Sequence, residues 1–320
     1  GSLAYARGEA GIAVRHLREA VRLAKGARMR TEMVTLAVLT KAELADGQPE
    51  AALRSAKRAI RLHRDQGLLD PDGTPGQEIW WQYSRALAAN GDSAGAWRAL
   101  EQAHALLLRS IANLRDAGLR RNTLNKVASN REILAAWIER GTARRLPADR
   151  LHAHLAIESS VREPFRRLAD TGVRMNALHD EAGLKTFLVE EAAELTGGER
   201  VMLILERDGE REAARALLPK GEDARGALRA IRPYLDRASA SGTALLLHTP
   251  GNARRTAQRS RIVAPLVHRG ELAGYLYVDI DGLYGRFDDA DRDMLAMLAS
   301  QAAVALENVR FSAGLEQKVA

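Results

Sequence analysis

The chain has 320 residues and a net charge of +7, and only 4% of its residues are aromatic. It has no cysteine, which excludes a disulfide framework, a thiol nucleophile and a thiol redox sensor. No apolar run is long enough to span a membrane and no signal peptide is visible, so a cytoplasmic location without a membrane partner is expected. The excess arginine is spaced between alanine and leucine, as on solvated helix faces. No helix-turn-helix or RNA-binding signature accompanies it, so no nucleic-acid partner is expected. The length predicts two domains. Gly1-Ser2 reads as a tag remnant, so a fragment cut from a longer protein is expected.

Residues 3–110 read as paired helices. Gly8, Gly47 and Gly91 are each followed twelve residues later by an alanine, Ala20, Ala59 and Ala103. Apolar residues lie between: Val14 and Leu17, Leu53 and Ala56, Trp97 and Leu100. The glycine permits a close turn and the alanine a close neighbouring helix, the pattern of a helical hairpin. Stacked hairpins form a solenoid with a concave surface. The Gly-to-Ala spacing resembles tetratricopeptide repeats, with glycines 39 and 44 residues apart. The resemblance implies a protein partner on the repeats. A generic all-α bundle has the same local pattern. Pro71-Asp72-Gly73-Thr74-Pro75-Gly76 predicts a loop, and Trp80, Trp81, Tyr83 and Trp97 after it read as core.

A helical connector is expected over 111–165, with breaks at Ala117-Gly118-Leu119 or Ser129-Asn130 and a domain boundary at Leu146-Pro147-Ala148-Asp149. From there Ile157, Val161, Pro164, Leu168, Thr171, Met175 and Leu178 recur at intervals of four and three, a helix-bundle or coiled-coil seam. Leu298, Ala302, Ala305 and Val309 form a matching seam near the C-terminus. The two seams either join two copies of the chain in a homodimer that transmits a signal or pack within one copy.

Residues 166–312 alternate helix and strand signals. A helix over Glu181–Leu195 stops at Thr196-Gly197-Gly198, and Arg200–Glu206 is a strand followed by an Asp208-Gly209 turn. Glu212–Leu218 fits strand or helix. Glu222–Ala240 is a helix interrupted at Pro233, Thr243–His248 a strand, and Thr249–Ser260 an arginine-rich loop. Two apolar runs, Ile262–Val267 and Leu272–Ile280, flank His268-Arg269-Gly270-Glu271 and predict an antiparallel hairpin. Asp288-Asp289-Ala290-Asp291 opens a last helix, its acids placed at the positive end of the dipole. That helix continues through 313–320 as the start of a linker.

Val263-Ala264-Pro265-Leu266, the Gly270 turn, Gly274-Tyr275-Leu276-Tyr277, Phe287 with Asp291, and the run Ala299 to Asn308 together resemble the C-terminal half of a GAF domain, and TGGERVMLILE resembles its opening. The expected fold is therefore multidomain: all-α repeats over 1–110, then an α+β GAF sensor over 166–312 whose antiparallel sheet is flanked by N- and C-terminal helices. The family also makes Glu212–Leu218 a strand. Its ligand pocket lies between the sheet and the middle helix and loop, here 219–260. Strand alternation puts Tyr275, Tyr277 and Asp279 on that side, opposite Leu276, Val278 and Ile280. Tyr234, His248, Arg259 and Arg261 complete the candidate set, suited to a small polar ligand. Asp279 and Arg261 alternatively pair across neighbouring strands. The Asn-Lys pair of cyclic-nucleotide-binding members is not present: Asp279-Ile280-Asp281-Gly282 stands there, although Phe287 and Asp291 are kept.

No cofactor, metal or catalytic role is expected. Without cysteine a bilin has no thioether attachment. His152, His154, His179, His248 and His268 are not at ligand spacing, and Ser159-Ser160 reads as a helix cap. The resemblance implies a non-catalytic regulatory region of a bacterial signalling protein upstream of a cyclase or histidine kinase. The alternatives are a dimerisation scaffold without a ligand and the sensor region of a transcription activator.

Overall fold

The computed structural model describes residues 1–24, 29–67, 74–157, 162–178, 180–207, 209–249 and 258–319. Pro71 to Gly73, Ser159, Ser160, Val161, His179, Asp208 and most of the arginine-rich loop lie outside them. The chain divides into two compact units, one of residues 1–112 and 128–154 and one of residues 113–127 and 155–320.

The first unit is helical. Its helices are α1 (Ser2–Ala6), α2 (Ala10–Ala24), α3 (Met29–Ala45), α4 (Pro49–Asp65), α5 (Gly76–Ala89), α6 (Ser93–Ile111), α8 (Ala128–Ala143) and α9 (Ala148–Leu151), followed by a 3-10 turn over Ala153–Leu155. From α1 to α6 each helix packs on the next. Gly8, Gly47 and Gly91 stand between helices with φ of 79°, 70° and 81°, the left-handed conformation that ends a helix. Ala59 and Ala103 are buried and Ala20 half-buried. On α2 the buried Ala13, Val14, Leu17 and Val21 make one apolar stripe. The tryptophans divide. Trp80 donates to His63 Nδ1 (3.1 Å) and Trp81 to Glu132 Oε2 (2.6 Å), whereas Trp97 stacks on Trp137 of α8, with ring centroids 5.1 Å apart.

In place of a single connector over 111–165, the chain breaks at residues 112–116 and at Val127, which is extended (φ −82°, ψ 113°). The intervening α7 (Ala117–Lys126) belongs to the second unit, and α8 belongs to the first. Gly118 lies within α7, and Ser129 and Asn130 lie within α8. The chain turns at Arg144 and Arg145, just before 146–149, and enters α9 at Ala148, but the change of unit falls between His154 and Leu155.

The second unit is a five-stranded sheet of order β2-β1-β5-β4-β3. The strands are β1 (Arg200–Arg207), β2 (Glu210–Leu217), β3 (Leu245–His248), β4 (Arg259–His268) and β5 (Glu271–Asp281), and all neighbours run antiparallel. The β4–β5 hairpin turns at Arg269 (φ 49°) and Gly270 (φ 86°), where two successive left-handed residues follow the strand twist. The stretch Glu212–Leu218, ambiguous in pattern, lies in the edge strand β2 up to Leu217. The sheet's two faces carry separate cores. Val201, Leu203, Ile262, Ala264, Leu276, Val278 and Ile280 pack with α11 (Glu181–Thr196) and α13 (Asp289–Val319). Met202, Ile204, Val263, Tyr275 and Tyr277 pack with α12 (Ala224–Ser241). α12 continues through Pro233 rather than stopping there; the proline forgoes one helical hydrogen bond.

The proposed helix seams are filled from within. α10 (Arg162–Asn176) packs on α11 and α13. Leu168, Met175, Leu298, Ala302, Ala305 and Val309 all lie in the core of one copy, with Leu178 packed against it and Ile157 half-buried. Thr171, the polar member, is buried because its hydroxyl donates to Glu191 Oε1 (2.6 Å). Two apolar stripes facing each other in one chain bury themselves without a second copy, so these residues are not a free dimer seam.

α7 closes this unit. Gly118 lies so near α11 that a Cβ would stand 2.0 Å from the Leu195 carbonyl oxygen, so only glycine admits this approach. Arg121 donates from Nε to the Thr196 carbonyl (2.7 Å) and from Nη1 to the Arg286 carbonyl (2.7 Å) and Asp291 Oδ2 (2.9 Å). Its Nη2 reaches Asp291 Oδ1, and the guanidinium lies 5.1 Å over the Phe287 ring. Phe287 and Asp291 are thus occupied by packing and by α7.

Candidate functional site

Between α12 and the sheet lies a cavity of about 420 Å³. β5 provides its floor through Tyr277 and Asp279, and β1 adds Arg200 and Met202. α12 provides a wall through Ala227, Ala230, Ile231 and Tyr234, and β4 a rim through Arg259 and Arg261. The floor is placed by strand period: Tyr277 and Asp279 lie two apart, on one face.

Asp279 is the centre of the polar set and only 3% exposed. Its Oδ2 accepts from the Tyr277 hydroxyl (2.7 Å), and its Oδ1 accepts from Arg259 Nη2 (2.5 Å) and from Arg200 Nη1 (3.4 Å). Arg259 Nη2 also donates to Glu199 Oε2 (2.6 Å), and Arg200 forms a two-pronged pair with Glu222 at the mouth. Burial, with Asp279 beside it, pushes the Tyr277 phenol up and keeps it a donor. Burial opposes the charge on Arg259, but Asp279 and Glu199 outweigh it and its pKa rises. The hydrogen bond from Arg200 holds the Glu222 carboxyl below the usual carboxylate range.

Arg261 and Asp279 are register partners on β4 and β5, yet their side chains do not pair. The Arg261 guanidinium lies 5.0 Å over the Tyr234 ring and donates to Thr249 Oγ1, so Arg259 takes Asp279 instead. The structure thus brings Tyr234, Arg259, Arg261, Tyr277 and Asp279 to one cavity and leaves two expected residues outside it. Tyr275 is on the same face but further along β5, where its hydroxyl donates to Glu206 (3.2 Å) and Arg211 covers its ring. His248 pairs in register with Ser260, itself opposite Ile280, and so belongs to the other face of the sheet. Arg200 and Glu222 were not in the expected set. Arg200 was accessible to reasoning, because antiparallel pairing of β1 with β5 sets it opposite Asp279. Among the described residues no group of three His, Asp or Glu side chains could hold a metal, and no helix is long and apolar enough to cross a membrane.

The family model of the GAF domain matches residues 187–306. No curated protein matches the chain. Among solved structures, the GAF domain/HD domain protein from Geobacter sulfurreducens is 18% identical, over 43% of this chain and 99% of that one, with a TM-score of 0.34. Free methionine-R-sulfoxide reductase from Neisseria meningitidis is 20% identical over 50% and 97%, with a TM-score of 0.37. The GAF domain of a phosphoenolpyruvate-protein phosphotransferase from Coxiella burnetii is 16% identical over 49% and 99%, with a TM-score of 0.35. GAF domains are commonly sensor or regulatory domains of signalling proteins. With the family match, the five antiparallel strands and their helices in hand, residues 187–306 of this chain are a GAF domain.

Proposed function

We propose that this chain is the regulatory, non-catalytic region of a bacterial cytoplasmic signalling protein and that its GAF domain senses a small polar molecule in the cavity over Asp279. One observation carries the reading: a cavity of about 420 Å³ whose floor is a buried carboxylate ringed by a tyrosine hydroxyl and two guanidiniums. Such a site is of ligand size, and its few convergent polar groups fix orientation. The ligand offers hydrogen-bonding edges to Tyr277 and Arg200, and Arg261 over Tyr234 flanks the entrance. The helical unit, read as tetratricopeptide-like repeats, takes a protein partner. α10 and α13 carry the ligand-dependent shift in population to a downstream cyclase or histidine kinase.

The test is thermal unfolding with a panel of amino acids, nucleotides and organic acids. A ligand at about one hundred times its Kd adds about 2.7 kcal/mol, so a rise of about 6 °C is expected with at least one compound. Arg261→Ala, which leaves the Asp279 cluster intact, is expected to cut that shift by more than half. If no compound moves the wild-type transition, the cavity is not a sensor site.

A homodimer belongs to the same proposal, on a different helix face from the one expected. Met297, Val304 and Phe311 are 47%, 42% and 68% exposed and recur every seven residues along α13. Seven is the coiled-coil period. Light scattering is expected to report a dimer for the wild type and a monomer for Met297→Glu/Val304→Glu. A monomeric wild type refutes the interface.

A further inference from the structure

The three arginines of the GAF cavity are not equivalent. Arg200 donates from Nε and Nη2 to the two oxygens of Glu222 and from Nη1 to Asp279. Arg259 donates to Glu199 and Asp279, and its Nη1 lies 3.6 Å from Asp281. Arg261 has no ion pair among the described residues; it meets only the Thr249 hydroxyl and the Tyr234 ring. Residues 250–257, which lie outside the described residues, contain no Asp or Glu.

Arg261 has one kind of donor to give. Its Nη1 is tied to Thr249 Oγ1, and the guanidinium is held 5.0 Å over the Tyr234 ring. Nε and Nη2 make no hydrogen bond among the described residues, and neither is a buried atom, so both can be reached from the cavity that Arg261 lines. These two N–H groups form a parallel fork that matches the two oxygens of a carboxylate. Arg200 grips Glu222 by the same edge in the same cavity.

The acids of the lining offer no such opening. Both Glu222 oxygens accept from Arg200, both Asp279 oxygens are taken, and Asp223 accepts from the Gly226 N–H (2.8 Å) as the cap of α12. An ammonium group on a ligand finds every one of these carboxylates already bonded, and a second negative charge would lie among three acids. The wall beside Arg261 is apolar. α12 turns Ala227, Ala230, Ile231 and Tyr234 to the cavity at intervals of three, one and three, which is a single helix face. Ala227 and Ala230 are accessible, and their small side chains leave room for an apolar body.

We infer that the cavity takes a small organic monocarboxylate, its two oxygens on the Nε–Nη2 edge of Arg261 and its apolar body along Ala227 and Ala230. This inference rests on the sensing role proposed for the cavity and gives the ligand its chemical class.

The experiment is calorimetric titration of the whole chain, at fixed ionic strength and neutral pH, with three probes that share a phenyl body: 3-phenylpropanoate, its neutral amide, and 2-phenylethylammonium. The expected result is saturable binding of 3-phenylpropanoate and at least tenfold weaker binding of the other two. Arg261→Lys, which keeps the charge and loses the fork, is expected to weaken 3-phenylpropanoate at least fivefold. Ala230→Phe, a change at an exposed position that fills the apolar wall, is expected to weaken it at least tenfold. No binding of 3-phenylpropanoate, equal binding of the amide or the ammonium, or an unchanged affinity in either variant overturns the monocarboxylate. The cavity as a sensor site falls separately, only when the whole thermal panel is silent as well.

Discussion

Arg121→Ala is expected to destabilise the GAF domain by about 3–5 kcal/mol, the usual loss when one member of a buried ion pair is removed. The Arg121 and Asp291 side chains are 5% and 6% exposed. The arginine also satisfies the carbonyls of Thr196 and Arg286, one at the end of α11 and one just before α13. Its removal leaves two carbonyls and a carboxylate short of donors in a dry place. Burial pushes the Asp291 carboxyl up even against the pull of Arg121, so in the variant it takes up a proton more readily still. The Asp288 N–H remains within 2.9 Å to soften the loss. Amide hydrogen exchange in β5 reads this domain separately from the helical unit and avoids assuming a single unfolding step. Arg121→Met with Asp291→Leu is expected to recover most of the stability, because an apolar pair leaves no buried charge. A single-variant loss below about 1 kcal/mol would show that α7 is not held by this pair.

Acid is expected to loosen the helical unit through His104. Its pKa is about 3 in the folded chain against 6.5 for the free side chain, the cause being burial first and then His154 and Arg150. The unfolded chain therefore binds a proton at a pH where the folded chain does not. Stability is unaffected above about pH 6.5, falls as pH drops below it, and stops falling near pH 3, where both states are protonated. At pH 4 the loss from this residue is roughly 3 kcal/mol. Urea unfolding of the helical unit at pH 7 and pH 4, compared between wild type and His104→Phe, isolates the effect from that of the carboxylates. The variant is expected to lose less on acidification by about that amount. Equal losses in both proteins would place the pH sensitivity elsewhere.

The strands were legible where the sequence carries its own punctuation. The β4–β5 hairpin follows from two apolar runs and a turn with Arg269 and Gly270, all local in the chain. The sorting of Tyr277 and Asp279 from Leu276, Val278 and Ile280 needs only the two-residue strand period. What escaped was set by distant pairing. Arg121 bonds to groups 75, 165 and 170 residues away, and nothing beside it in the chain signals them. His248 was misplaced because an edge strand of four residues gives too little alternation to tell its faces. The helix seams were correctly apolar, but periodicity alone does not say whether a stripe meets its own chain or another. The GAF resemblance is independently supported over 187–306, and the repeat resemblance rests on the glycine turns and helix order alone.

The covalent path through α7 has a practical consequence. The chain leaves the helical unit after Ala112, contributes Asn113 to Val127 to the GAF domain's unit, and goes back for α8 before entering that unit for good at Leu155. A fragment excised at the conventional start of the sheet-bearing half would retain every strand yet discard Arg121. Its Asp291 would be stripped of its counter-ion and the crease at Thr196 left uncovered. For this protein, an isolated sensor is best produced with residues 113–127 supplied, for instance in trans as a peptide.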